Sequence, residues 1–338
     1  MVRVSFIFAM CLVWPALAVD SDTCATCHSK EAQSQPHTAM GVGIELPADQ
    51  VVLRQHSGLS YEANGYKYVI ESKDGVNMYT VSDGTGSLTL PIHYAFGVSS
   101  QTFVLEYNGR YYESMVSYYP TAPGLAITMG SERVRPHTLV EAMGREAPDQ
   151  EIVSCFECHS SGGVNQGKLT LQSMKPGLDC EHCHPGANAH QEALSQGKPA
   201  IAPKKLGDMA AEDMSEFCGA CHRTWNTVIR MRTWGAANVR FQPYRLANSK
   251  CFLGNDKRIS CTACHNPHAN LVREDASYDH NCLACHAKSS SAPAMKSCSV
   301  ADRNCVSCHM PKVELPGSHN LFTDHQIRIV RAGERYPN

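Results

Sequence analysis

The sequence predicts a mainly α and irregular chain that carries one small antiparallel β-module near residues 55–120. Three observations lead there. Strand-like runs separated by Asx-Gly turns are confined to that stretch. Beyond residue 135 the chain reads as short helices and irregular segments. A five-residue pattern, Cys-x-x-Cys-His, recurs seven times, once at residues 24–28 and six times within residues 155–309, with gaps of 16 to 38 residues between the last six.

The N-terminus has the form of a secretory leader. Arg3 supplies a short positive region, Val4 to Val13 an apolar run, and Ala16-Leu17-Ala18 a small-x-small cleavage site, so the cut is expected after Ala18. The run is too short for a bilayer span, and no later stretch reaches the roughly 20 apolar residues that a membrane helix needs. Cys11 follows Met10 rather than a small residue, which argues against a lipid-modified terminus, and it leaves with the leader. A periplasmic or extracellular chain with 16 cysteines is therefore expected. The formal net charge of -2 offers no polyanion-binding surface, so nucleic acid is not an expected partner.

Four segments follow: the leader over 1–18, a first motif segment over 19–54, the β-module over 55–120, and a six-motif region over 121–338. Within the module, Asn64-Gly65, Asp74-Gly75 and Asn108-Gly109 separate the strand-like runs Tyr66–Ile70, Met78–Ser82, Thr102–Tyr107 and Arg110–Tyr118. Its tyrosines, Tyr107, Tyr111, Tyr112, Tyr118 and Tyr119, read as strand residues packing one face on the rest of the core, in preference to a stacking surface for a partner. Further on, Leu139–Ala147 and Trp225–Met231 read as helices, the second extending the fourth motif. Each motif is expected at the start or end of a short helix. Ser160–Gln166 and Pro199–Lys205 read as surface loops.

Fourteen cysteines fall into the repeated pattern: Cys24/Cys27/His28, Cys155/Cys158/His159, Cys180/Cys183/His184, Cys218/Cys221/His222, Cys261/Cys264/His265, Cys282/Cys285/His286 and Cys305/Cys308/His309. Chance would give about 0.04 copies in this length. Two thiols three residues apart share one side of a helical turn and reach the two vinyl groups on one porphyrin edge. The following imidazole stands four residues from the first thiol and reaches the iron. This is the attachment pattern of c-type haem. A zinc knuckle has no need of His after every second Cys, and thioredoxin-like chemistry uses one such motif in a βαβ setting. Seven covalent haems are expected, with packed porphyrins standing in for part of the aliphatic core.

Ten histidines remain for the second axial position, enough for bis-His coordination at every iron. The distal candidates are His37, His93, His137, His190, His268, His319 and His325, with Met40 a substitute for His37. His280, two residues before Cys282, ranks below them. His56 reads as surface, and His182 lies inside its own attachment loop. Cys251 and Cys298, outside any motif, form the one candidate disulfide of an oxidising compartment.

Cys305-Val-Ser-Cys-His-Met-Pro-Lys followed by His319-Asn-Leu-Phe-Thr-Asp-His325 resembles the end of multihaem cytochromes of the cytochrome c-554 type, relatives of the pentahaem nitrite reductases and octahaem hydroxylamine oxidoreductases. Val239-Arg-Phe-Gln-Pro-Tyr, Cys261-Thr-Ala-Cys-His-Asn-Pro-His and the hairpin at Asn108-Gly109-Arg110 are similar to that group as well. The resemblance implies a haem-packed multihaem cytochrome with closely stacked haem pairs and few sheets. It also implies His268, His319 and His325 as axial ligands. The nitrite reductases attach their catalytic haem through Cys-x-x-Cys-Lys, and here all seven motifs end in His.

The first functional expectation is an electron carrier, with a quinol oxidase or terminal reductase as redox partner. The rival is an oxidoreductase acting on a small nitrogen or sulfur oxyanion at one five-coordinate haem, with Arg133 and Arg135 as anion-attracting groups. Whether the chain is an enzyme, and whether it assembles into an oligomer, stays open at this level.

Overall fold

The computed structural model describes residues 21–56, 58–122, 124–287 and 297–337. The leader expected over 1–18, with Cys11 and its cleavage site, lies outside them. Among the described residues, no helix is long and apolar enough to cross a membrane.

Among the described residues helix makes up 36% and strand 24%, and one antiparallel sheet dominates, so the fold is not mainly α. Eight strands build that sheet: β1 (Ile44–Glu45), β2 (Leu59–Ala63), β3 (Tyr66–Lys73), β4 (Val76–Ser82), β5 (Ser87–Phe96), β6 (Thr102–Tyr107), β7 (Arg110–Ser114) and, numbered after the two below, β10 (Gly144–Glu146). Their order is β10-β7-β6-β5-β4-β3-β2, with β1 added beside β5. A separate ribbon pairs β8 (Val116–Tyr119) with β9 (Gly124–Ile127). The sheet thus runs from residue 44 to 146, well beyond the small module expected over 55–120.

The three Asx-Gly pairs turn the chain where expected. Asn64-Gly65, Asp74-Gly75 and Asn108-Gly109 all have positive φ at both residues, the requirement of the tight turn whose twist matches flanking strands. The longest strand, β5, carries no such flag. Pro91 lies within it, and a residue is inserted between Ile92 and Tyr94, so Ile92 faces Leu105 and Tyr94 faces Val104. That bulge at His93 shifts the alternation of buried and exposed residues, and the sequence pattern breaks with it.

One face of the sheet closes over Tyr68, Ile70, Tyr79, Ile92, Phe103 and Leu105, all essentially inaccessible. The other face presents Tyr94, Phe96 and Val104 to Ile152 and Phe156 of the helix Asp149–His159. Phe156 meets Tyr94 and Phe96 edge-on, with ring centroids 4.9 and 5.4 Å apart. This aromatic contact carries the second Cys-x-x-Cys-His motif on the sheet.

Two other expectations need correction. The helix begun at Leu139 stops at Met143, because Gly144–Glu146 pairs with β7 instead. Ser160–Gln166 is not a free loop. Ser160–Ser161 is buried and pairs with Lys175–Pro176, and Val164–Asn165 pairs with Lys168–Leu169. The helix Trp225–Met231 occupies its expected span, but Arg223 breaks the chain between it and the fourth motif.

Candidate cofactor attachment sites

Each motif is wound into helix or a helical turn, and in different ways. The second, fourth and sixth end the helices Asp149–His159, Ala211–His222 and Asp279–His286. The third and fifth form single turns, Cys180–Cys183 and Cys261–Cys264, and the seventh is the helix Cys305–His309. The first begins inside the short helix Ser21–Ala25, and Cys27 and His28 continue it by one turn, with Cys27 N–H donating to Cys24 O at 3.2 Å. In the first, third and fifth motifs the His N–H donates to the carbonyl of the first Cys, at 2.8, 2.8 and 2.9 Å. That turn places two thiols and one imidazole on the same side. All 14 motif thiols are free, and among the described residues no cluster of His, Cys, Asp and Glu could hold a bare metal ion. The donor set is therefore laid out as single Cys-Cys-His turns, which fits thioether attachment of a porphyrin.

The motifs also lie close to one another. Thiols of different motifs interact in pairs, Cys24 with Cys180, Cys158 with Cys221, Cys218 with Cys261 and Cys282 with Cys305. Cys183 lies within electrostatic reach of Cys218 and Cys221, and Cys264 of Cys282. The seven motifs thereby form one connected series, first–third–fourth–fifth–sixth–seventh, with the second branching from the fourth.

Not every motif residue is enclosed. Cys27 and His28 of the first motif and Cys308 of the seventh are exposed, as are His222 of the fourth, Cys264 of the fifth and His286 of the sixth. The first, second and seventh motifs each have a neighbouring motif on one side only, and the second also packs on the sheet through Phe156. The first and seventh are the open ends. Cys24 and Cys305 take that contact, with Cys180 and Cys282. The later residues of the same turns, Cys27, His28 and Cys308, are left facing solvent. Tethering requires a reachable thiol and not a buried one, so exposure leaves the attachment pattern of these two motifs intact.

Backbone and side-chain contacts hold the series in place. Gln35 donates through Nε2 to Leu178 O at 2.7 Å, Leu178 N–H donates to Met40 O at 2.9 Å, and Gly177 N–H donates to His159 O at 3.0 Å. Asn281 donates through Nδ2 to Ala263 O at 2.7 Å, linking the sixth motif to the fifth. The Asp279 carboxylate accepts the N–H groups of Cys305 and Asn304 at 2.8 and 2.6 Å, and the Cys305 bond above all holds its carboxyl below the usual range.

Gly177 is where glycine is required: its φ is +71°, and a Cβ there would run into the Gly41 carbonyl oxygen. Gly177→Ala is expected to lower stability by about 2 kcal/mol, read as a drop in melting temperature.

Two pairs of imidazoles stand out. The rings of His184 and His268 have centroids 6.0 Å apart and planes within 15°. Those of His265 and His325 are 6.1 Å apart at 45°. A metal between two imidazoles, with bonds of about 2 Å and about 1 Å more from nitrogen to centroid on each side, requires about 6 Å. Both pairs join a proximal histidine to one of the expected distal candidates.

Tautomers agree with that role. Nδ1 of His159 donates to Gly43 O at 2.8 Å, and Nδ1 of His309 donates to Arg328 O at 2.8 Å. Nδ1 of His325 donates to Thr323 O at 3.0 Å, and Nδ1 of His190 donates to Ile201 O at 3.2 Å. A carbonyl only accepts, so the proton sits on Nδ1 and Nε2 keeps its lone pair, the arrangement of metal-bound histidines. Burial pushes the imidazoles of His159, His265 and His268 down, and that of His325 down to about 4, which disfavours their cations.

The other candidates stand elsewhere. His37 and His137 are exposed. His93, in the β5 bulge, pairs with Glu106 at 3.2 Å. His319 packs on Tyr119, with centroids 4.8 Å apart, in a turn where its φ is +51°. His280, ranked low from sequence, donates from Nδ1 to Ser277 O at 2.9 Å and so shares the ligand-like tautomer. Cys251 and Cys298 are separate free thiols: Cys251 lies near Cys282 and Cys285, whereas Cys298 accepts the N–H groups of Ala301 and Val300. The expected disulfide is not formed.

One cluster escaped the sequence reading entirely. Arg245 and Asp324 are both fully buried and pair through two bonds, Nε to Oδ1 at 2.8 Å and Nη2 to Oδ2 at 2.9 Å. Arg245 also donates to Asn238 Oδ1 at 3.3 Å and Pro337 O at 2.8 Å, and its Cζ lies 4.5 Å from the Tyr336 ring centroid. Arg328 closes the group on Asp324 at 2.6 Å. Burial works to raise the Asp324 carboxyl, but Arg245, the Gln326 N–H and Arg328 together hold it below the usual range. The next residue is His325, whose carbonyl accepts the Ser249 hydroxyl at 3.0 Å.

Apolar side chains fit the same picture. Beyond residue 180 the buried clusters shrink to Val228, Phe241 and Tyr244. Most of the exposed large apolar side chains, among them Trp225, Ile229, Trp234 and Leu253, lie in this motif-rich half, where covalently held macrocycles would cover them.

The fold of the chain is that of a solved structure described as the outer cell wall cytochrome OcwA, with a TM-score of 0.54 over 94% of this chain and 80% of that one, at 14% sequence identity. No protein-family model and no curated protein matches the chain.

Proposed function

We propose that the protein is an exported multihaem c-type cytochrome that carries electrons through seven covalently attached haems. The closeness of the seven motifs to one another, in one series, supports this reading. Cofactors tethered to adjoining turns lie close to one another, and a conductor needs that continuity more than it needs a substrate pocket. Haem bound at these turns supplies a one-electron iron couple.

The chain's own residues provide the rest. Fourteen cysteines tether, and seven proximal histidines ligate. His268 and His325 occupy the positions facing His184 and His265. His190 and His280, with Nε2 free, are further distal candidates. The cut after Ala18 delivers the mature chain to the periplasm or cell exterior, where a quinol oxidase or terminal reductase is the expected class of redox partner. The fold shared with an outer cell wall cytochrome supports that placement.

Intact mass of the purified protein tests the reading directly. The mature chain plus seven haems is expected, and any other haem number removes the claim. Ferric low-spin signals throughout in electron paramagnetic resonance support a carrier. A high-spin signal that shifts on adding nitrite or hydroxylamine assigns instead a catalytic haem.

A further inference from the structure

Near the C-terminus, Lys312–Leu315 and Asn320–Thr323 form an antiparallel hairpin in which Lys312 stands opposite Thr323. The two chains do not part beyond that rung. Asp324 N–H donates to Pro311 O at 2.9 Å, and Arg328 N–H donates to His309 O at 3.2 Å. The pairing therefore runs on into the seventh motif, as far as its proximal histidine. Between these two rungs Met310 on one side stands against His325, Gln326 and Ile327 on the other, so the tail bulges there. Such a bulge re-aims a side chain, and this one brings the His325 ring to His265, with centroids 6.1 Å apart.

Hydrogen bonds brace the bulge from within and from outside. The Ser249 hydroxyl donates to His325 O at 3.0 Å and accepts the Ile327 N–H at 2.8 Å. Gln326 N–H donates to Asp324 Oδ1 at 3.0 Å. Arg328 closes the base: its Nη1 donates to Asp324 Oδ2 at 2.6 Å and to Gln326 O at 3.1 Å, and its Nε donates to Glu334 at 3.3 Å. The carbonyl of the same residue accepts Nδ1 of His309 at 2.8 Å. Arg328 thus holds the ring of His309 with its backbone and the loop that carries His325 with its side chain.

Resting on the haem reading, we propose that Arg328 is a positioning residue for two haems at once. It orients His309 on the haem of Cys305/Cys308 and holds His325 toward the haem of Cys261/Cys264, so one brace sets the strength of both ligands. A firmly held imidazole whose Nδ1–H donates to a carbonyl is a stronger donor, which favours ferric iron and lowers the potential. His309 donates to Arg328 O in this way, and His325 to Thr323 O at 3.0 Å. The fifth and seventh haems are thereby kept low in potential together.

Potentiometric titration of the full holoprotein, followed by haem absorbance, provides the test. Arg328→Ala is expected to move two of the seven reduction waves to higher potential and leave the others in place. The direction separates positioning from charge. Loss of a cation beside an iron disfavours its less positive ferrous form and moves a wave to lower potential. Arg328→Lys keeps the charge but not the fork that bridges Asp324, Gln326 and Glu334, and is expected to move the same two waves upward. It also carries the test if Arg328→Ala does not fold. Ser249→Ala, a change without charge inside the bulge, is expected to raise at least one of the same two waves.

Seven haems by intact mass with every wave unchanged in the Arg328 variants overturns the proposal. A downward shift in Arg328→Ala, or a uniform shift of all waves, does the same. A single moved wave in both Arg328 variants overturns the link between the two haems. Fewer than seven haems in the unaltered protein overturns the underlying reading instead.

Discussion

Arg245→Ala is expected to cost about 3–5 kcal/mol of stability, the range for a buried ion pair that loses one partner. The loss goes beyond a missing contact. Asp324 is fully buried, and without Arg245 its carboxylate keeps only Arg328 and the Gln326 N–H. The freed segment includes His325, whose ring faces His265. Two readouts should therefore move together in the holoprotein: the unfolding midpoint falls, and one haem loses low-spin character. Arg245→Met/Asp324→Leu replaces the pair with apolar side chains and is expected to recover most of the stability, since such replacements are often neutral. If Arg245→Ala lowers stability but leaves every iron low-spin, the pair supports the fold without positioning His325.

The second large effect concerns the two facing imidazoles. His268→Ala and His325→Ala should each convert one haem from low-spin to high-spin while all seven stay attached, because attachment depends on the cysteines and not on the distal ligand. The double variant should convert two. His37→Ala and His137→Ala are the controls. Neither imidazole is among the ring pairs that face a motif histidine, and neither substitution is expected to change the spin state of any haem. High-spin iron in either control would return those residues to the ligand set. Retained low-spin iron in His268→Ala would mean that the ring at 6.0 Å from His184 is a packing neighbour only.

Much of the candidate site was legible because its chemistry is local. A thiol, a second thiol and an imidazole on one helical turn are fixed by spacing alone, and the structure winds every motif into such a turn. How deeply each turn sits was not legible. Cys27, His28 and Cys308 repeat the pattern of Cys155, Cys158 and His159, yet they face solvent, whereas the helix of the second motif packs on the sheet through Phe156. The Asx-Gly hairpins were legible, since positive φ at consecutive positions is a property of those residue types. The extent of the sheet was not. β5 hides behind Pro91 and a bulge that changes its phase, and β10 is three residues long, held by β7 across about thirty residues of chain. The distal ligands fall between these cases. Counting histidines bounded the supply, but His93 and His137 carry the same side chain as His268 and meet quite different neighbours.

By itself the sequence determined the Cys-x-x-Cys-His turns and the Asx-Gly hairpin turns, all set within about five residues by covalent geometry and backbone preference. Only the tertiary structure decided the size of the sheet, the order in which the motifs approach one another, and the ring partners of His184 and His265. It also revealed the Arg245–Asp324 pair, whose members are 79 positions apart. Each of these depends on which distant surfaces the chain buries together. Burial is non-directional and shared across the whole core, so no local pattern encodes it.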